Sequence, residues 1–407
     1  MRLICILIAL MAFATEAFCQ SPPVWEEGPP LLTPRMFHCA TTYGDAIYVF
    51  GGIDDHRQLL GSVEFLRAGS AVWEEGPEMP TALYNTAVVP LARQLMLIGG
   101  SNQERASSDV VLFLEPNRGQ YSRGPALPQP RSGMAATVEG GCSVLVMGGI
   151  ANRGMPEMTG FRLVLPPEGR WDCNVPSLNS RRINFGLIWN QTAFAVGGIH
   201  YGPVNSIEVL IRNGWQNLSR LPVPRGELGV ITYERCIICV GGRDREGRAV
   251  AQVDAYDIDH LVWSSLPPLQ MPRAGLTTVL FNGTLYAIGG ITSPQFRETV
   301  LNTVEMLRLR PDTVSVPVRV EPAPPAIPLS FYPNPANGMV RFNLPGFRDG
   351  WMRLFDPRGR RVTEQPISSA SGAWVWDASQ TPTGDYFLVL LDDKGAPLAG
   401  SRLTVLK

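Results

Sequence analysis

Five arginines recur at one offset. Arg35, Arg131, Arg181, Arg225 and Arg273 each stand ten residues after an aromatic, namely Trp25, Tyr121, Trp171, Trp215 and Trp263. A guanidinium stays charged, and its fork grips a carboxylate through two parallel bonds. Gathered in one place, the five would bind carboxylates, so they are the ligand-binding candidates of the chain. The pattern also has a structural reading. Glu64, Asp109, Glu208, Asp254 and Glu305 supply nearly one acid per arginine, and internal pairing would turn the set into a scaffold. One position breaks the rule: Leu83 stands ten residues after Trp73. Two combinations place an acid–base group beside an arginine. Glu227 follows Arg225, and His38 follows Arg35. An acid–base group so placed could move a proton on a group that the arginine holds.

Little else in the chain suggests chemistry. The remaining histidines are His56, His200 and His260, and none stands at metal-ligand spacing with another histidine or a cysteine. No metal and no cofactor are expected. There is no Gly-x-Ser-x-Gly turn and no phosphate-cradling loop. Asp54, Asp55 and Asp244 read as solvated loop acids rather than calcium ligands. Lys plus Arg number 35 against 36 Asp plus Glu. This balance excludes the basic excess of a generic nucleic-acid binder.

The elements that must position these residues repeat. VWEEGP occurs at 24–29 and again at 72–77. Gly51-Gly52, Gly99-Gly100, Gly148-Gly149, Gly197-Gly198, Gly241-Gly242 and Gly289-Gly290 each close an apolar run: IYVF, LMLI, VLVM, AFAV, IICV and LYAI. The steps between pairs are 48, 49, 49, 44 and 48 residues. Trp25, Trp73, Tyr121, Trp171, Trp215 and Trp263 precede the pairs by 26 or 27 residues. A further strand-like segment follows each pair, such as SVEFLRA or NTVEMLR. Each unit thus predicts four short strands, the size of one propeller blade. A lone blade cannot bury both faces, but a ring of blades can.

The order of arginine, apolar strand, Gly-Gly, acid-bearing strand and tryptophan resembles the kelch repeat over roughly residues 24–310. Six copies imply an all-β, six-bladed kelch β-propeller occupying 20–310. The first copy begins with an aromatic strand, and the last ends without one. The strand around Trp25 is therefore expected to complete the sixth blade and close the ring. The resemblance also implies that the arginines converge near the central channel. Two functions follow from it. One is a binding module for an extracellular protein or glycan. The other is an enzyme like the kelch propellers that interconvert sialic acid anomers, with Glu227 and Arg225, or His38 and Arg35, as the pair.

The two ends carry a different message. Residues 1–19 hold Arg2, an apolar run over 3–14 and small residues Ala17 and Cys19, the pattern of a cleaved export signal. No later run is long and apolar enough for a membrane helix. Beyond that signal, Cys39, Cys142, Cys173, Cys236 and Cys239 form an odd set with no evident disulfide framework. Cys236 and Cys239 lie in an apolar strand and read as core residues. Residues 311–329 are a Pro-rich linker. Residues 330–407 alternate like about seven short strands of a small Ig-like sandwich. This last stretch resembles the type A C-terminal sorting domain of type IX secretion cargo. The matching residues are Tyr332-Pro333-Asn334-Pro335-Ala336, Leu354-Phe355-Asp356 with Gly359-Arg360, Pro382-Thr383-Gly384-Asp385-Tyr386-Phe387, and Lys407. Asp385 departs from the usual Val or Ile. The resemblance implies a diderm bacterium of the Bacteroidota, the type IX machinery as partner, and a mature propeller released from or held at the cell surface after this domain is removed.

Overall fold

The computed structural model describes residues 23–151, 154–165, 169–293, 298–309, 330–332, 338–343, 350–355, 361–367, 373–379, 381–392 and 397–405. The predicted export signal and linker lie outside the described residues, as do Pro333, Asn334, Pro335, Asp356, Gly359, Arg360 and Lys407. All elements among the described residues are β-strands.

Six antiparallel sheets of four strands make the ring. The first blade steps outward through Cys39–Tyr43, Ala46–Phe50, Val63–Arg67 and Glu74–Glu75. The next four blades begin at Ala87–Pro90, Ala135–Glu139, Gly186–Asn190 and Gly229–Tyr233. The sixth consists of Thr277–Phe281, Thr284–Ile288, Val304–Arg308 and, outermost, Glu26–Gly28. Glu26 pairs with Met306 and Gly28 with Val304. The start of the propeller is thus sewn onto its last blade, as the missing final aromatic predicts. Each innermost strand lies against the next, and the sixth lies against the first.

The alternating strands bury apolar residues on both sheet faces, so the core sits between blades. One buried cluster lies at each of the six blade contacts. At the closing contact, Leu31, Ile47, Val49, Leu66 and Trp73 meet Val279, Phe281, Ile288 and Val304. Trp25 fills the contact between the fifth and sixth blades beside Leu266, Leu285 and Leu307.

Hydrogen bonds tie every blade to the one before. The Trp25, Trp73, Trp171 and Trp215 indoles donate to Pro267, Pro29, Pro125 and Pro176 carbonyls at 2.7, 2.8, 2.9 and 3.0 Å. The Tyr121 hydroxyl donates to Pro77 O at 2.9 Å, and Trp263 donates to Ser219 Oγ at 3.2 Å. This explains the duplicated hexapeptide: each VWEEGP offers a tryptophan donor to the preceding blade and a proline carbonyl to the following one. The second glycine of each Gly-Gly pair runs the other way. Gly52, Gly100, Gly149, Gly198, Gly242 and Gly290 donate to the carbonyls of Leu83, Arg131, Arg182, Arg225, Arg273 and Arg35 at 2.9–3.0 Å. Both glycines need positive φ, and a Cβ on Gly148, Gly197 or Gly289 would lie 2.7 Å from the next blade's arginine carbonyl.

The described residues of the C-terminal unit form two sheets. Ser330–Tyr332, Met339–Asn343 and Ala373–Asp377 form one. Arg361–Ile367, Gly350–Phe355, Gly384–Asp392 and Pro397–Val405 form the other. Val340 and Trp376 of the first share a core with Met352, Leu354, Leu388 and Leu403 of the second. Gly384 opens its strand, and the buried Tyr386 donates its hydroxyl to Pro382 O at 2.8 Å. That bond gives the Pro-Thr-Gly-Asp-Tyr motif a local role: the tyrosine pins the turn that leads into its own strand.

Candidate functional site

The segment that leads from each outermost strand to the next innermost strand crosses the face where the Gly-Gly loops emerge. Two residues after each arginine position, the chain turns left-handed. Phe37, Asn85, Gly133, Asn184, Glu227 and Gly275 all have φ between 48 and 60°. Each donates its N–H to the carbonyl of its predecessor at 2.8–2.9 Å, and Phe37 donates to Gly275. Six bonds therefore close an annulus around the channel mouth. Glycine and asparagine tolerate this conformation; Phe37 and Glu227 hold it at a cost of about 1 kcal/mol or more each. Phe37 covers Gly275, where a Cβ would meet its ring at 3.0 Å.

The arginines do not line this mouth. Arg35, Arg225 and Arg273 are fully buried, and each ion-pairs with a third-strand acid: Glu64, Asp254 and Glu305. Their Nη1 atoms donate to the first Gly-Gly carbonyl, Gly51, Gly241 and Gly289, at 2.9–3.1 Å. The expected Arg181 needs correction. Arg182 occupies the equivalent buried place, paired with Glu208 and bonded to Gly197 O. Two changes of one residue mislead the count. The turn after Trp171 is longer, and the hairpin at Asn190–Thr192 is shorter, so the distance from Trp171 to Gly197 is unchanged. Counting four residues from the buried Leu31, Leu127, Leu178, Leu221 and Leu269 gives the right arginine each time.

Asp109 also needs correction: it is exposed, and Leu112 takes the acid position of the second blade. Leu83 and Leu112, both buried, replace the ion pair there. In the third blade, Phe161 takes the acid position, and the Arg131 guanidinium lies 5.2 Å from its ring centroid. The acids have a second task. Glu64 accepts Leu32 N–H and Thr33 N–H, Glu208 accepts Asn179 N–H, and Glu305 accepts Gln270 N–H and Met271 N–H, at 2.6–3.1 Å. Where proline removes the first of these donors, at Pro80, Pro128 and Pro222, no glutamate is used: Leu112, Phe161 and the shorter Asp254 stand instead.

Among the catalytic candidates, Arg225 is committed to Asp254, Gly241 O and Gln252 O. Glu227 turns instead to Arg243, at 2.8 Å. Arg243 lies 3.6 Å from Glu298, which binds Arg57 at 3.0 Å. This alternating chain of four charges links loops of the fifth, sixth and first blades. Arg243 escapes sequence reasoning because it stands one residue after Gly242, where most blades carry an isoleucine or serine. Asp54 and Asp244 cap their own loops by accepting Gln58 N–H and Arg248 N–H at 2.7 and 2.9 Å.

His38 is buried, and neither ring nitrogen has a hydrogen-bond partner among the described residues. It fills the place that Met134, Phe185, Leu228 and Leu276 take in other blades. Burial, and then the Arg35 charge, push its pKa from 6.5 down to about 3. The unfolded chain binds this proton below pH 6.5 and the native ring does not, so stability falls as pH drops from 6.5 toward 3. Replacing His38 by leucine should shrink the loss between about pH 6.5 and 5 by about 2 kcal/mol. Urea melts of both proteins at the two pH values check this; equal losses would contradict it.

Comparison with known proteins agrees with this architecture. Residues 34–80, 224–270 and 272–310 match the Kelch motif. Residues 330–398 match the secretion system C-terminal sorting domain. The chain is 24% identical to Kelch repeat and BTB domain-containing protein 1 of camelpox virus over 34% of its length and 25% of the relative's. It is 28% identical to Kelch-like protein 15 of Danio rerio over 31% and 22%, and 31% identical to beta-scruin of Limulus polyphemus over 21% and 9%. The matched parts span a quarter or less of these relatives. The chain is a six-bladed kelch-repeat β-propeller followed by a secretion-system C-terminal sorting domain.

Proposed function

We propose that the protein is a secreted or cell-surface interaction module, exported by the type IX system through its C-terminal domain, whose Gly-Gly loop face engages an extracellular partner. The sorting-domain match behind a closed propeller carries this reading. Among the described residues no helix is long and apolar enough to cross a membrane, and no cluster of metal ligands occurs. The loop face supports the choice of surface: it bears the mouth annulus, the four-charge chain and the exposed Met155 and Tyr201. The anomer-exchange alternative gains no support from the candidate pair, since Arg225 is enclosed with Asp254 and Glu227 is held by Arg243. The test is deletion of residues 329–407 in the native host. The propeller should accumulate in the periplasm. Its undiminished arrival at the surface or in the medium would overturn the export role.

A further inference from the structure

The third blade treats its buried arginine differently. Arg131 is 1% exposed, and its Nη2 donates to Thr159 Oγ1 at 2.8 Å. Its Nη1 is enclosed and has no hydrogen-bond partner among the described residues. The nearest carboxylate oxygen belongs to Glu157, 3.7 Å away. The other oxygen of Glu157 lies 3.5 Å from Nη1 of Arg181, which also donates to Pro156 O at 3.0 Å. One carboxylate therefore straddles two guanidiniums and makes close contact with neither.

The position of that carboxylate matters. In the first, fourth, fifth and sixth blades the acid sits on a strand and touches its arginine. Moving such an acid means unpairing a blade. Glu157 sits instead in the loop between the second and third strands, on the Gly-Gly face, and Phe161 holds the guanidinium plane from below. Arg181 is 43% exposed on the same face. Two cations thus share one loosely held anion, and one of them has an unused donor.

We propose that Arg131 and Arg181 form a subsite for an aspartate or glutamate side chain of the protein partner, with Glu157 as the resident carboxylate that the incoming one displaces from Arg131. A bidentate carboxylate would satisfy the unused Nη1, while Glu157 remains paired with Arg181. The assignment rests on the loop face being the interaction face, but its test needs neither the native partner nor secretion.

The probe is N-acetyl-glutamate amide, titrated into the full chain while arginine side-chain N–H signals are followed by NMR. Saturable shifts are expected for Arg131 and Arg181, and none with N-acetyl-glutamine amide. Glu157→Gln should tighten binding about tenfold by removing the competitor. Arg181→Gln, a change at an exposed side chain, should weaken it about tenfold without altering the melting temperature. Absence of a saturable shift, or no tightening in Glu157→Gln, overturns the subsite. Glucuronate binding about tenfold more tightly than the glutamate probe overturns its assignment to a protein side chain.

Discussion

Removal of residues 23–30 should destabilise the propeller by at least about 5 kcal/mol, out of a total of roughly 5–15 kcal/mol for a folded domain. Three losses combine. Trp25 is 3% exposed and packs between the fifth and sixth blades, and large-to-small changes at such sites cost about 3–5 kcal/mol alone. Its indole bond to Pro267 O disappears, as does the Gln270 side-chain bond to Trp25 O. The pairing of Glu26–Gly28 with Val304–Met306 is lost as well, leaving an open sheet edge that invites aggregation. Thermal melts of the truncated and full chains should differ by about 10 °C or more. A truncated protein that melts with the parent would mean that this strand carries no closing energy.

The second large effect concerns the buried ion pairs. Arg35→Leu should cost about 3–5 kcal/mol, because it leaves Glu64 charged, enclosed and without its cation. Glu64→Leu added to it should recover part of that loss, since apolar replacement of both partners is often neutral, while Leu32 N–H and Thr33 N–H lose their acceptor. The second blade already contains this exchange: Leu83 and Leu112 stand where the first has Arg35 and Glu64. Arg131→Leu should cost less than Arg35→Leu, because no strand-borne acid is stranded by it. Denaturant melts of these variants decide this. Equal losses for Arg35→Leu and the double variant would show that the pair is not the unit of stability.

The ring is legible in the sequence because its demands recur. Each Gly-Gly pair must pass a neighbouring carbonyl, and each outer aromatic must reach the preceding blade, so both types repeat at fixed spacing. The missing final tryptophan predicts the closure by Glu26–Gly28 for the same reason. The candidate site is less legible. Spacing points to Arg181 in place of Arg182 because an insertion and a deletion of one residue cancel over the repeat. The buried leucine four residues earlier is the better ruler, since core packing fixes its place while loops absorb length changes. The mouth annulus uses residues as different as Phe37, Asn85 and Gly133, because what recurs there is a backbone conformation and not a side-chain type. The pairing of Glu227 with Arg243 joins residues from adjacent turns of one blade, which spacing from the arginine repeat could not show.

Closure of the ring by its own N-terminal strand can be tested most directly by disulfide trapping. Glu26 and Met306 are register partners, so Glu26→Cys with Met306→Cys should oxidise within one molecule. Peptide mapping should recover the link between positions 26 and 306 from monomer in high yield. Failure of that link to form, or its recovery only between two molecules, would contradict a propeller sealed by the start of its own chain.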